Sequence, residues 1–166
     1  MFNNTFDFVD EQQIVTLWGK EISQLTPETE EPLNLYGLQV LLVENHFDTR
    51  ELFTFLLQEF GAEVIPVALV SEALEALERH RIDILIADVE LPGEDGYSLV
   101  RKMRTREAER GGKMIPALAV TCAAREEDRI RALLAGFQIH MCKPVEVHEL
   151  VKVVASLADC SFKKRC

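Results

Sequence analysis

Three short runs constrain this chain more than anything else in it: QVLLV at 39–43, IDILIA at 82–87 and IPALAV at 115–120 are nearly continuously apolar. A strand with one wet face alternates apolar and polar residues. A run without alternation marks a strand buried on both faces, as in a parallel sheet covered by helices on each side. The full set of apolar runs is Leu38–Val43, Glu63–Val67, Ile82–Ala87, Met114–Thr121 and Ile139–Cys142.

Helical patterns fill the gaps between them. Asp48 opens D-T-R-E, a capping box with Glu51 at the third helical position and Phe47 and Leu52 spaced as a hydrophobic staple. Leu52, Phe53, Leu56, Leu57 and Phe60 mark one face, and Gly61 is the expected stop. Ser71 is the expected start before Ala73–Leu77, and Gly96–Arg106, Glu126–Ala135 and Val147–Leu157 complete the helices, with Gly112 and Gly136 as stops. Five βα units with right-handed crossovers predict a doubly wound α/β sheet.

The first 36 residues differ. They hold seven acidic residues against Lys20 alone, while the whole 166-residue chain carries a formal charge of −10. Asp10 and Gln13 suit a helix start over 10–25, with Ile14, Leu17, Trp18, Ile22 and Leu25 at helical spacing. That stripe can pack on its own domain, dock a partner or pair two copies as a homodimer, with Trp18 as the natural anchor. TPETEEPLN, residues 26–34, reads as a linker. The division expected is an acidic extension over 1–36, a domain over 37–158 and a tail over 159–166.

The acidic balance argues against nucleic acid, which is bound through Lys and Arg. No apolar run approaches a membrane span, and the start MFNNTFDFVDEQQ lacks the pattern of an export signal, so a cytoplasmic protein with no membrane partner is expected. Cys122, Cys142, Cys160 and Cys166 form no CxxC pair and read as reduced thiols, although Cys160 and Cys166 could bridge under oxidation. Cys142 reads as a small core residue. His46, His80 and His148 read as solvated, and the Lys163-Lys164-Arg165 tail as a solvated end.

In an open α/β sheet, ligands bind beyond the carboxyl ends of the strands. Glu44 and Asn45 directly follow the first run, Asp88 the third, Thr121 ends the fourth, and Lys143-Pro144 follow the fifth. An acidic pair suits Mg²⁺, which takes a few carboxylates plus water and phosphate oxygens. An aspartate can accept a phosphoryl group, and an ammonium and a hydroxyl can offset charge on its oxygens. Gly93, Asp95 and Gly96 build the turn after the third run.

LQVLLVENHFDTRELF, ILIADVELPGEDGYSLVRKMR and ALAVTCAAREEDRIRALLAGFQIHMCKPV resemble the receiver domain of bacterial two-component response regulators, over residues 38–157. The resemblance implies a flavodoxin-like, five-stranded parallel sheet of order 2-1-3-4-5, here with an N-terminal helical extension. It implies a phosphoprotein of phosphorelay signal transduction rather than an enzyme with a turnover of its own. Asp88 is then the phosphoacceptor, Lys143 its phosphoryl-binding partner and Thr121 the switch hydroxyl. His140 stands where the family has its switch aromatic. Glu44, Asn45, Asp88 and the backbone carbonyl of Glu90 become the Mg²⁺ site, and Lys143-Pro144 a cis peptide. The partners implied are a histidine kinase or phosphotransfer protein and a downstream protein target, met through the fourth helix, fifth strand and fifth helix.

Only nine residues follow Leu157, so a stand-alone receiver is expected. The departure lies at Glu44-Asn45, where the family most often has two aspartates. A neutral amide at the second position predicts weaker metal affinity and motivates the alternative, a pseudo-receiver that binds partners constitutively. Two other classes fare worse. A dehalogenase-type phosphatase carries its nucleophile after the first strand within D-x-D, and no G-x-G-x-x-G follows that strand here for a dinucleotide.

Overall fold

A computed structural model of the chain describes residues 32–163. The expected helix over 10–25 with Trp18, most of the linker, and the thiols of Cys160 and Cys166 lie outside the described residues.

The described chain runs β1 (Gln39–Val43), α1 (Phe47–Glu59), β2 (Glu63–Val67), α2 (Val70–Arg79), β3 (Ile84–Ala87), α3 (Gly96–Arg110), β4 (Ala117–Thr121), α4 (Glu126–Ala135), β5 (Ile139–Cys142) and α5 (Val147–Lys163). The five strands form one sheet of order β2-β1-β3-β4-β5, every neighbouring pair parallel. The flavodoxin-like order expected from the resemblance is what the chain adopts.

The apolar runs are continuous because the sheet is covered twice. Leu41, Val43, Leu85, Ala87, Ala117 and Ala119 face α2, α3 and α4. Val40, Leu42, Ile84, Ile86, Leu118 and Val120 face α1 and α5. Each such side chain leaves water completely or nearly so, a gain of about 1.5–3 kcal/mol for the larger ones. Leu35 is fully buried and Leu33 packs on the same cluster, so the core reaches back to the start of the described chain.

The helix starts depart from expectation. α1 begins at Phe47 with His46 at the N-cap, so Asp48 lies inside the first turn and makes no capping box. The Glu44 carboxylate has taken over that end of the loop, accepting the His46 N–H at 3.0 Å. Phe47 and Leu52 are 64% and 53% exposed and form no staple; Phe53 and Leu57 carry the buried face. α2 starts at Val70, ahead of Ser71, because the Glu72 carboxylate accepts the N–H groups of Ala68 and Leu69 at 2.8 and 3.0 Å. α3 runs on to Arg110 and stops at Gly111, whose φ of 60° suits glycine, rather than at Gly112. α4 keeps the expected bounds and its Gly136 stop.

Arg104 ties the far end of the sheet together. Its guanidinium donates to the Gly136 carbonyl, the Ile115 carbonyl, the Glu107 carboxylate and the Gln138 side chain, at 2.7–3.1 Å. Arg104→Met keeps the apolar stem but strands these acceptors. It should lower the unfolding free energy by about 2 kcal/mol, read as a reduced urea midpoint with an unchanged m-value.

Candidate functional site

All five strands point the same way, so their carboxyl ends make a single rim. Backbone hydrogen bonds carry the ladder one residue past the strands. Asp88 N–H donates to the Val43 carbonyl at 2.9 Å, Glu44 N–H to Val67 at 3.0 Å, and Lys143 N–H to Thr121 at 2.9 Å. The polar residues that follow the apolar runs are therefore held by the sheet itself. β3 lies between β1 and β4, which puts Asp88 at the middle of the rim.

Glu44, Asp88 and Thr121 are the buried polar residues among those described, at 2%, 5% and 0% exposure. Lys143 Nζ donates to Glu44 Oε2 at 2.6 Å and to Asp88 Oδ2 at 2.9 Å. Each carboxylate accepts a backbone N–H with its other oxygen: His46 N–H donates to Glu44 Oε1 at 3.0 Å and Glu90 N–H to Asp88 Oδ1 at 2.9 Å. Burial pulls the Lys143 ammonium down, but its hydrogen bonds to Glu44 and Asp88 and their charges outweigh this, and its pKa stands above the usual lysine value. Two carboxylates against one ammonium leave the cluster a net negative charge, the condition for drawing in a further cation.

Thr121 caps the turn after β4, its Oγ1 accepting the Ala123 N–H at 3.3 Å. Lys143-Pro144 is a cis peptide, as the resemblance implied. Asn45 Oδ1 is buried and has no hydrogen-bond partner, a carbonyl oxygen still able to accept. Glu90 turns its side chain to solvent and meets the site through its backbone. His140 sits on β5 opposite Ala119, half-buried, with Nε2 buried and unpartnered.

The donor set matches a hard divalent cation: two carboxylates, an amide oxygen and a backbone carbonyl. Among the described residues no group of three or more His, Cys, Asp or Glu side chains is disposed around a metal position. Any ion here would lean on Asn45 and backbone oxygen.

The expected core role of Cys142 does not hold. β5 is an edge strand, and Cys142 is exposed at its open end, as is Cys122 after β4. Gly96, expected only as a turn residue, opens α3 and packs so tightly under Asp88 that a Cβ there would lie 2.3 Å from the Asp88 carbonyl oxygen. One further contributor has no sequence signal beyond its charge. Arg50 Nη1 donates to the Glu44 carbonyl at 2.8 Å, a bond whose only trace in the sequence is a cation six residues past Glu44.

Comparison with known proteins gives one consistent answer. The family described as response regulator receiver domain matches residues 40–155. An uncharacterized 14.6 kDa protein of Leptolyngbya boryana is 41% identical over 72% of this chain and 89% of its own length. Hybrid signal transduction histidine kinase D of Dictyostelium discoideum is 35% identical over 75% of this chain, which spans only 8% of that protein. The receiver domain of sensor histidine kinase PA1611 of Pseudomonas aeruginosa, solved with a magnesium ion coordinated in its active site cleft, is 32% identical with a TM-score of 0.67, covering 74% of this chain and 98% of that one. No helix among the described residues is long and apolar enough to cross a membrane.

Proposed function

The chain belongs to the response regulator receiver domain family, and from that premise we propose that it works as a phosphoacceptor, taking on Asp88 a phosphoryl group from a histidine kinase or phosphotransfer protein. The observation that carries this reading is the pairing of Lys143 Nζ with both Glu44 and Asp88. It sets a cation beside a buried carboxylate that, among the described residues, makes no other side-chain hydrogen bond.

A carboxylate oxygen of Asp88 attacks phosphorus, the bond from phosphorus to the donor breaks, and an acyl phosphate results. The Glu90 N–H holds Asp88 Oδ1 and so fixes the orientation of the attacking group. Lys143 can pass from the Asp88 carboxylate to a phosphoryl oxygen while keeping Glu44 as its anchor. Thr121 offers a hydroxyl from the next strand. Glu44, Asn45, Asp88 and the Glu90 carbonyl are the groups that would hold Mg²⁺, which supplies countercharge to the phosphoryl oxygens.

The signal leaves by protein contact. Ile130, Leu133 and Leu134 are exposed on α4 at 47%, 41% and 83%. Ile130 and Leu134 border a groove with Arg101 of α3, so α4 offers apolar surface to a protein partner, and Thr121 and His140 are the groups that would couple such a surface, with β5 and α5, to the site. A cytoplasmic location fits this role.

Asn45 favours a second reading, a pseudo-receiver bound constitutively to its partner, because a neutral amide stands where a second carboxylate would strengthen the metal site. One experiment separates the two. Intact protein is weighed after incubation with acetyl phosphate, with and without Mg²⁺, alongside Asp88→Asn. The working receiver gains one phosphoryl group only with Mg²⁺, and the variant gains none. No adduct together with no Mg²⁺ binding in a direct titration establishes the pseudo-receiver.

A further inference from the structure

The loop between β1 and α1 carries two of the four groups assigned to the cation, and both residues offer their carbonyl oxygens to one guanidinium. Arg50 Nη1 donates to the Glu44 carbonyl at 2.8 Å and lies 3.4 Å from the Asn45 carbonyl. The grip starts from a rigid base. Arg50 stands in the first turn of α1, its own N–H donating to the His46 carbonyl at 2.9 Å. Its guanidinium carbon lies 5.6 Å from the centre of the Phe47 ring, which covers it. From the other side, the Glu44 carboxylate holds His46 N–H. The loop is thus closed on itself, with Asn45 Oδ1 left buried and unpartnered inside it.

We propose that Arg50 is a positioning residue: by gripping the Glu44 and Asn45 carbonyls, it fixes the loop that presents the Glu44 carboxylate and the Asn45 amide oxygen to a divalent cation. This rests on the reading of the rim as a Mg²⁺-assisted phosphoryl acceptor. The neutral amide gives the clamp its weight. A carboxylate attracts a cation from any nearby position, whereas a carbonyl dipole acts at short range and has to be aimed. With Asn45 in the second position, aim replaces part of the missing charge.

Charge and position predict opposite signs, which makes the assignment testable. Arg50 is itself a cation beside the site, so by charge alone its removal should tighten Mg²⁺ binding. Loss of the clamp should weaken it, on the order of 10-fold, as for other groups that orient metal ligands. Mg²⁺ is titrated calorimetrically into wild type, Arg50→Met, which keeps the apolar stem, and Arg50→Lys, which restores a charged donor. Amide exchange at residues 44–46 is followed in parallel.

The expected result is weaker binding and faster loop exchange in Arg50→Met, with recovery of both in Arg50→Lys. Equal or tighter Mg²⁺ binding in Arg50→Met overturns the proposal, and so does faster exchange spread over the whole domain. Should Arg50→Met not fold, slowed exchange at 44–46 in Arg50→Lys, equal to wild type, retains the clamp; exchange as fast as in unstructured chain removes it. A wild type that takes up no Mg²⁺ removes the metal reading and this assignment together, whereas equal affinities in all three proteins remove only the assignment.

Discussion

Lys143→Met should cost about 3–5 kcal/mol of stability at neutral pH, the largest loss expected of any single change at the rim. The reason is electrostatic. Glu44 and Asp88 are 2% and 5% exposed, and the ammonium between them is what makes both tolerable as anions. Removing it leaves two buried carboxylates facing each other. Urea unfolding of the two proteins measures the loss. It has a pH signature of known sign. The folded protein holds the Lys143 proton more tightly than the unfolded chain, so the wild-type advantage at neutral pH persists up to pH 10.5, the ordinary lysine value, and shrinks as pH climbs through the raised folded value. Adduct formation from acetyl phosphate should slow on the order of 10²-fold, since the group that neutralises developing charge on the phosphoryl oxygens is gone. A variant as stable as wild type at pH 7 would mean that water already relieves the pair.

Gly96→Ala should cost about 3 kcal/mol, at the upper end for an overpacked site. The added carbon would lie 2.3 Å from the Asp88 carbonyl oxygen and 2.8 Å from the Val89 Cα, both backbone atoms with nowhere to move cheaply. Gly96 N–H also donates to the Val89 carbonyl at 3.0 Å, so pushing α3 away breaks a bond as well. The displaced residue is Asp88 itself, so the phosphoryl adduct should diminish even where the variant stays folded. Gly111, with nothing within 4 Å of its built Cβ, supplies the control for overpacking: Gly111→Ala should pay only for its left-handed backbone, about 1 kcal/mol. Equal losses at the two glycines would show that contact at Gly96 is not the cause.

The strands and the rim were legible because two independent signals agree there. Unbroken apolar runs located β1, β3 and β4, and the residue after each run is where a parallel sheet exposes polar groups. Glu44 and Asp88 needed nothing more, and Thr121 closes the third such run; Lys143 follows β5, a short run that His140 interrupts. Helix starts were less legible, since several residues near each end can take the cap. D-T-R-E is a sound capping pattern, but Glu44 reaches the loop first and α1 begins earlier. The buried stripe of α1 is narrower than its apolar periodicity, which does not separate the inward Phe53 and Leu57 from the outward Leu52. A core role for Cys142 follows from its apolar character alone; the expected strand order already puts the fifth strand at an edge, and there the side chain is exposed. Arg104 and Arg50 left no pattern at all. Their partners are mostly carbonyl oxygens, which every residue has, and only the folded backbone decides which of them converge.

The Lys143–Glu44 bond joins residues 99 positions apart, and the Lys143–Asp88 bond residues 55 apart. Pairings so distant along the chain close large loops, which carries an entropic cost and is slow in folding. A chain still emerging from the ribosome would therefore display Asp88 without its ammonium until β5 docks. The Lys143 bridge is thus a mark of completed topology: it forms only where the first, third and fifth strands share one rim.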